Sequence, residues 1–160
     1  MGRYATEGQG GTEFQPAPEG THVARCVQLI DLGSQHGEWE GKATVRSTVV
    51  AQFELPTEFV ATADGEKPAL VSLFWTNSLH EKSRLRADLE AWRGRAFTEE
   101  ERARFDLQSI LGKPCLVTIQ HQSRANRTRA RITRISALPK GMACPDQVNP
   151  SKAFWIDEFD

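Results

Sequence analysis

Between residues 43 and 55 the chain alternates. Ala43, Val45, Val49, Ala51, Phe53 and Leu55 fall on one parity, and Thr44, Arg46, Thr48, Gln52 and Glu54 on the other. Successive side chains of a strand point to opposite faces, so this period of two specifies a strand with one face on a core and one toward water. A chain that commits so long a stretch to a half-buried strand must supply further strands to pair with it and an apolar layer to cover it. With 160 residues it is long enough for one domain with a real core and short for two.

The partners are legible on either side. "THVARCVQLIDL" (21–32) is rich in Val, Leu and Ile and reads as a strand ending at Gly33, followed by a glycine-marked turn, "SQHGEWEG" (34–41). Pro56 closes the alternating strand, and "ADGEKP" (63–68) leads into a third, "ALVSLFWTNS" (69–78). The period then changes. Ser78 and Glu81 stand in the relation of a capping box, Leu85, Leu89 and Trp92 recur at helical spacing, and Gly94 is placed to end the helix. Thr98 and Glu101 repeat the box before a short second helix, roughly 99–105. "CLVTIQH" (115–121) and "TRARITRISAL" (128–138) read as strands four and five, and from 139 onward Pro and Gly are too frequent for regular structure.

This order predicts a mainly β fold: a five-stranded, OB-fold-like Greek-key barrel with one main α-helix between strands three and four and a short second helix. A split sheet packed on one helix also fits. The expected organisation is a flexible N-terminal segment (1–20), the barrel domain (21–140) and an extended acidic-aromatic tail (141–160).

The formal net charge of -1 hides an uneven distribution. Residues 1–66 carry four basic and ten acidic side chains, whereas 107–145 carry seven basic and no acidic ones. Five of those seven are the arginines of "RANRTRARITR" (124–134). In a strand, Arg127, Arg129 and Arg131 form a row on one face at about 6.6 Å intervals, suited to the phosphates of an extended single strand. Arg134 breaks the parity, which predicts a bulge or the strand's end near Thr133. Arg124 falls in the preceding loop, where such a barrel tends to hold its ligand. Charges on an edge strand also prevent aggregation, but lysine mixed with glutamate would serve equally well, so the acid-free row favours an anionic partner.

Non-specific single-strand binding needs aromatic faces beside the cations. Trp39, in its glycine-bounded turn, and Trp75, ending the third strand, are the stacking candidates, with a core position as the other reading of Trp75. Lys42 and Arg46 would extend the groove. Trp92 reads as core. Arg84, Arg86, Arg93, Arg95, Arg102 and Arg104 are interleaved with acids, and helical pairing accounts for most of them.

Neither metal nor cofactor is expected. Cys26, Cys115 and Cys144 form no CxxC pair, and the four histidines lack metal spacing. There is no GxSxG, Walker loop or GxGxxG, so an enzyme is not expected, and Cys115 reads as a small core residue. The N-terminus has no apolar signal region and no stretch approaches the roughly 20 apolar residues of a membrane span, which points to a soluble intracellular protein.

The wording of "LHEKSRLRADLEAWRGRAFTEEERARFDLQSILGKPCLVTIQH" (79–121), with "FQPAPEGTHVARC" (14–26), "FELPTE" (53–58) and "LPKGM" (138–142), resembles small proteins encoded in the replication and recombination regions of tailed bacteriophages and prophages. Those are described as single-stranded-DNA-binding proteins with an OB-fold. The resemblance covers roughly 14–160, and its most specific part runs from Trp92 to Glu100. It implies sequence-nonspecific single-stranded-DNA binding and protection during phage DNA replication or recombination, in the cytoplasm of a bacterial host. The alternatives are a phage-encoded protein-binding inhibitor of a host nuclease or defence complex, and a recombinase mediator. The tail "FWIDEFD" is similar in chemistry to the acidic-aromatic tips by which bacterial single-strand-binding proteins recruit partners, without their terminal Pro-Phe. Phe154, Trp155 and Phe159 would fill a pocket on a replication or recombination protein while Asp157, Glu158 and Asp160 pair with its basic residues; an end lying on its own domain fits equally. A tail that competes for the groove predicts that deleting 151–160 raises DNA affinity. The reading leaves room for a homo-oligomer.

Overall fold

The alternating stretch becomes the first part of β2 (Lys42–Thr62), which pairs antiparallel with β1 (Gly20–Trp39) on one side and β3 (Gly65–Thr76) on the other. The computed structural model of the chain describes residues 16–155, with 35–37, 39 and 43–46 described by their backbone alone. After β3 come α1 (Arg84–Arg93), α2 (Glu99–Arg104) and a 3₁₀ turn at Leu107–Ile110. Strand β4 (Pro114–Arg124) then pairs antiparallel with the start of β1 and with β5 (Arg127–Ser136). A short β6 (Lys152–Phe154) joins β1 in parallel. The ladder runs β3-β2-β1-β4-β5, and β5 folds back against β3. The result is the nearly closed five-stranded barrel of an OB-like fold, with its main helix between the third and fourth strands.

Long strands can curl into a barrel only if they bend, and here bulges do the bending. β1 carries one at Val27, where Cys26 and Val27 are both buried in succession, and another at Leu32–Gly33. At the second, Gly33 has φ +76° and its N–H donates to Asp31 Oδ1 at 2.8 Å. The expected turn at 34–41 is therefore mostly strand: β1 runs to Trp39, and only Glu40 and Gly41 turn the chain. Nor does Pro56 end β2. It falls in an irregularity between Leu55 and Phe59, where the ladder asks no N–H of it, and pairing resumes at Phe59. Strand β5 has its extra residue at Thr133, as the broken parity of the arginines requires.

The inward faces of the five long strands meet in one core that includes Leu29, Phe53, Trp75, Val117 and Ile132. Leu85 and Leu89 of α1 pack onto it. Trp92 sits at its edge, its ring 5.7 Å from that of Phe53 and its N–H donating to Pro114 O. The helix starts later than the sequence suggests. Its N-cap is Ser83, whose hydroxyl accepts from Arg86 N, while the Ser78 hydroxyl accepts from His80 N and the Ser78 carbonyl accepts from the Ser83 hydroxyl. Leu85 is the first residue whose burial rewards a helical backbone, so the cap lies just ahead of it. Gly94 ends α1 with φ +76°, and Thr98 and Glu101 form the complete box that starts α2.

Neither end of the described chain is loose. From Pro16 it already packs: Ala17 is buried, its carbonyl accepts from the His121 ring at 2.7 Å, and Glu19 accepts from His121 N. Of the segment expected to be flexible, residues 16–20 are thus packed, and 1–15 lie outside the described residues. Residues 137–151 lack regular structure, yet they are held as a strap across the outside of β1 and β2. The Arg25 guanidinium donates to the carbonyls of Gly112, Cys144 and Pro145 at 2.7–3.0 Å. The Glu54 carboxylate, fully buried, accepts from Val148 N at 2.6 Å and from Asn149 N and Nδ2 at 2.8 and 2.6 Å. Through Trp155, then, the expected extended tail is part of the domain.

Glu54→Ala leaves the Val148 and Asn149 amides without their acceptor and should cost about 1–3 kcal/mol. Amide exchange should accelerate at 148–154 before the β2–β3 ladder opens; uniform acceleration would contradict a locally fastened strap. A second expectation concerns acid. The Thr98 backbone N–H, and after it the Arg93 guanidinium, hold the Glu101 carboxyl down from 4.5 to about 2. A carboxyl depressed on folding stabilises fully above 4.5 and loses that contribution as pH falls toward 2. Thermal melts of Glu101→Gln should therefore start lower at neutral pH and decline less over that window than wild type.

Candidate nucleic-acid interface

Strand β4 keeps inward apolar residues only as far as Ile119; beyond it every residue to Arg129 is exposed, so the β4–β5 hairpin leaves the barrel as a two-stranded arm. Its tip is a two-residue turn, Ala125 (φ 52°) and Asn126 (φ 64°), whose left-handed pair matches the twist of the strands. Asparagine tolerates that conformation, but alanine there costs about 1–2 kcal/mol.

On the outward face of the arm Arg131 lies opposite Gln120, Arg129 opposite Gln122 and Arg127 opposite Arg124. Arg124 thus stands at the end of β4 and not in a loop, and the two arginines flanking the turn face each other directly. Like charges in that relation are destabilising. The extra residue at Thr133 restores parity, so that Arg134 returns to the outward face while Ile132 and Ile135 both turn inward. Gln122, Arg124, Ala125, Arg127 and Arg129 line a cleft of about 400 Å³.

Among the described residues no carboxylate lies within ion-pair distance of these five guanidiniums. The helical arginines are the opposite case. Arg84 pairs with Asp88, Arg86 with Glu90, Arg93 and Arg95 with Glu101, and Arg104 with Glu100. Phe97 N, then Arg86 and Arg102, draw the Glu90 carboxyl below its ordinary value. Among the described residues, five of the six arginines of α1, α2 and the turn between them are thus paired with acids, and the five on the β4–β5 hairpin are not.

The aromatic candidates are redistributed. Trp75 is 1% exposed, and its indole N–H donates to Asp88 Oδ2 at 2.8 Å, so it is core and cannot stack on a base. Its neighbour Phe74 is 61% exposed on the outer face of β3, on the side of the barrel where OB-folds hold their ligands. The signal was in the sequence: Ala69, Val71, Leu73 and Trp75 share one parity, which sends Phe74 outward with Ser72 and Thr76. Trp39 and Lys42 are backbone partners across the β1–β2 turn, and Arg46 is the partner of Gln35 farther down that hairpin. Lys42 is exposed, whereas the Trp39 and Arg46 side chains lie outside the described residues. These three sit at the far end of β1, while the arginine arm extends beyond its start, so the sheet does not bring the two groups together.

In the C-terminal segment Phe154 is exposed on β6 and the Trp155 indole donates to Gln108 Oε1 at 3.0 Å. Asp157, Glu158, Phe159 and Asp160 lie outside the described residues. The thiols are placed for packing: burial pushes Cys26 up to about 12 and Cys115 well above its ordinary value. Among the described residues no three His, Cys, Asp or Glu side chains are grouped as a metal ion would require.

No protein-family model matches the chain, and no curated protein matches it.

Exchanging the two neighbours for alanine tests the parity on β3. Trp75→Ala should cost about 3–5 kcal/mol in urea denaturation, and Phe74→Ala less than about 1 kcal/mol. Equal losses would mean that the faces are misassigned.

Proposed function

We propose that the protein binds single-stranded DNA without sequence preference and without catalysing a reaction, holding the phosphates on the outward arginines of the β4–β5 arm and stacking bases on the barrel's outer face. The observation that carries this reading is the row of Arg124, Arg127, Arg129, Arg131 and Arg134, exposed and without a carboxylate partner among the described residues. Two local costs, the left-handed Ala125 and the facing pair Arg124 and Arg127, are features that a purely structural hairpin would shed. A bound phosphate relieves the second by lying between the guanidiniums.

Arginine gives the complex its affinity and salt dependence, and a flat aromatic such as Phe74 selects unpaired over paired bases, because only an unpaired base offers a free face. The resemblance of 14–160 to phage replication and recombination proteins supplies the setting: protection and extension of unpaired DNA in the cytoplasm of a bacterial host. Recruitment of replication or recombination proteins through the aromatic-acidic end beyond β6, 155–160, belongs to the same proposal.

Fluorescence anisotropy of a labelled oligo-dT against a duplex of equal length, at two salt concentrations, tests it. The expected result is preferential single-strand binding with a log–log salt slope of about -2 to -4, for roughly three to six phosphate contacts. Changing Arg127, Arg129 and Arg131 together to alanine should flatten that slope by about 2. Absence of binding at low salt would overturn the proposal and redirect attention to an acidic protein surface as the arm's partner.

A further inference from the structure

The four strands on the outside of the barrel are in a register that aligns two rows of side chains. Phe154 of β6 lies opposite Ile30 of β1, Ile30 opposite Val50 of β2, and Val50 opposite Phe74 of β3. Paired residues point to the same face. The four therefore form one apolar row straight across the sheet, with its aromatic ends 43% and 61% exposed and Val50 covered between them. Two residues along, Lys152, Gln28, Gln52 and Ser72 form a second row, wholly polar. With strands about 4.8 Å apart, the aromatic ends are some 14 Å from each other, and the two rows are about 6.6 Å apart.

We infer that β6 is part of the strand-binding face and that Phe154 contacts DNA, forming with Phe74 a two-ended platform for bases. This rests on the single-strand-binding reading and adds residues to it. Apolar and polar rows side by side suit nucleotides, which present π-faces to stack and amide-like edges to bond. Glutamine carries both donors and acceptors, so Gln28 and Gln52 can meet any base edge, and Lys152 adds a cation for the backbone. The inward neighbour Ala153 packs on the core, which fixes the outward direction of Lys152 and Phe154. The platform ends on β3, the strand against which β5 closes, so the next outward surface round the barrel is the arginine row.

The inference reverses the expectation for a competing tail. Deleting 151–160 removes β6, and should weaken DNA binding where a competing tail would strengthen it.

The test compares oligo-dT affinity of the full chain with Phe154→Ala and Phe154→Trp, all confirmed folded by their melting temperatures. Phe154→Ala should lose about 5- to 100-fold in affinity with an unchanged salt slope, since a neutral ring releases no counterion, and Phe154→Trp should retain wild-type binding. Full affinity in Phe154→Ala, beside a wild type that binds, would overturn the inference and leave the arginine reading intact. So would a variant that keeps its affinity but loses self-association in sedimentation, which would make the face a contact between copies of the chain. A wild type that ignores oligo-dT would overturn both.

Discussion

Arg25 and Glu54 are Cα partners on neighbouring strands, yet neither neutralises the other; each is spent on the backbone of the strap. A carboxylate with no solvent exposure is tolerable only if donors replace its lost water, and the Val148 and Asn149 amides do so. A stretch too rich in proline and glycine to form its own ladder must likewise find acceptors and donors elsewhere. The two requirements satisfy each other. The strap passes over β1 and β2 because their outer face carries one cation for its carbonyls and one anion for its amides. β6 follows from that placement. β4 leaves the edge of β1 at Arg25, and from Gln28 the same edge is taken up by the segment that the clamp delivers.

The electrostatic layout has a comparable logic. Around α1 and α2 arginine acts as a structural residue, tied to Asp88, Glu90, Glu100 and Glu101, with Arg93 also lying 4.3 Å over the Phe97 ring. On the β4–β5 arm the same side chain is exposed and, among the described residues, has no carboxylate within ion-pair distance. The difference comes from what each element needs from the core. A helix docked through Leu85 and Leu89 must settle its rim charges locally, whereas an arm that has left the core is free to keep its charges for a ligand.

How far this was legible depends on how local each device is. The alternation of β2, the Thr98–Glu101 box, the glycine ending α1 and the bulge at Thr133 are decided within a few residues, and all could be read from spacing. Features decided by distant partners could not. Pro56 looks like a stop until the irregular pairing with β3 is seen, and the glycines of 34–41 look like a turn until β2 is found alongside them. Ser78 matches a capping pattern that Ser83 actually performs, because the buried leucines set the helix start. Glu54 sits on the parity assigned to water and is fully covered by residues far away in sequence. At the candidate site the arginine row is legible from spacing, whereas the polar followers Thr76 and Asn77 leave Trp75 open to a stacking or a core reading, and the parity it shares with Leu73 decides for the core.

The two edges of β1 are filled at very different moments of synthesis. β2 follows at once, whereas Gly20 waits for Ile119 and Gln28 for Lys152. Until the ribosome has released the strap, the backbone of β1 near Gln28 is an open strand edge able to pair with a neighbouring nascent chain. Contacts this distant in sequence also slow folding. The last described strand to be made is thus the one that closes the first, and a chain interrupted before residue 152 would leave that edge bare for quality-control machinery to find.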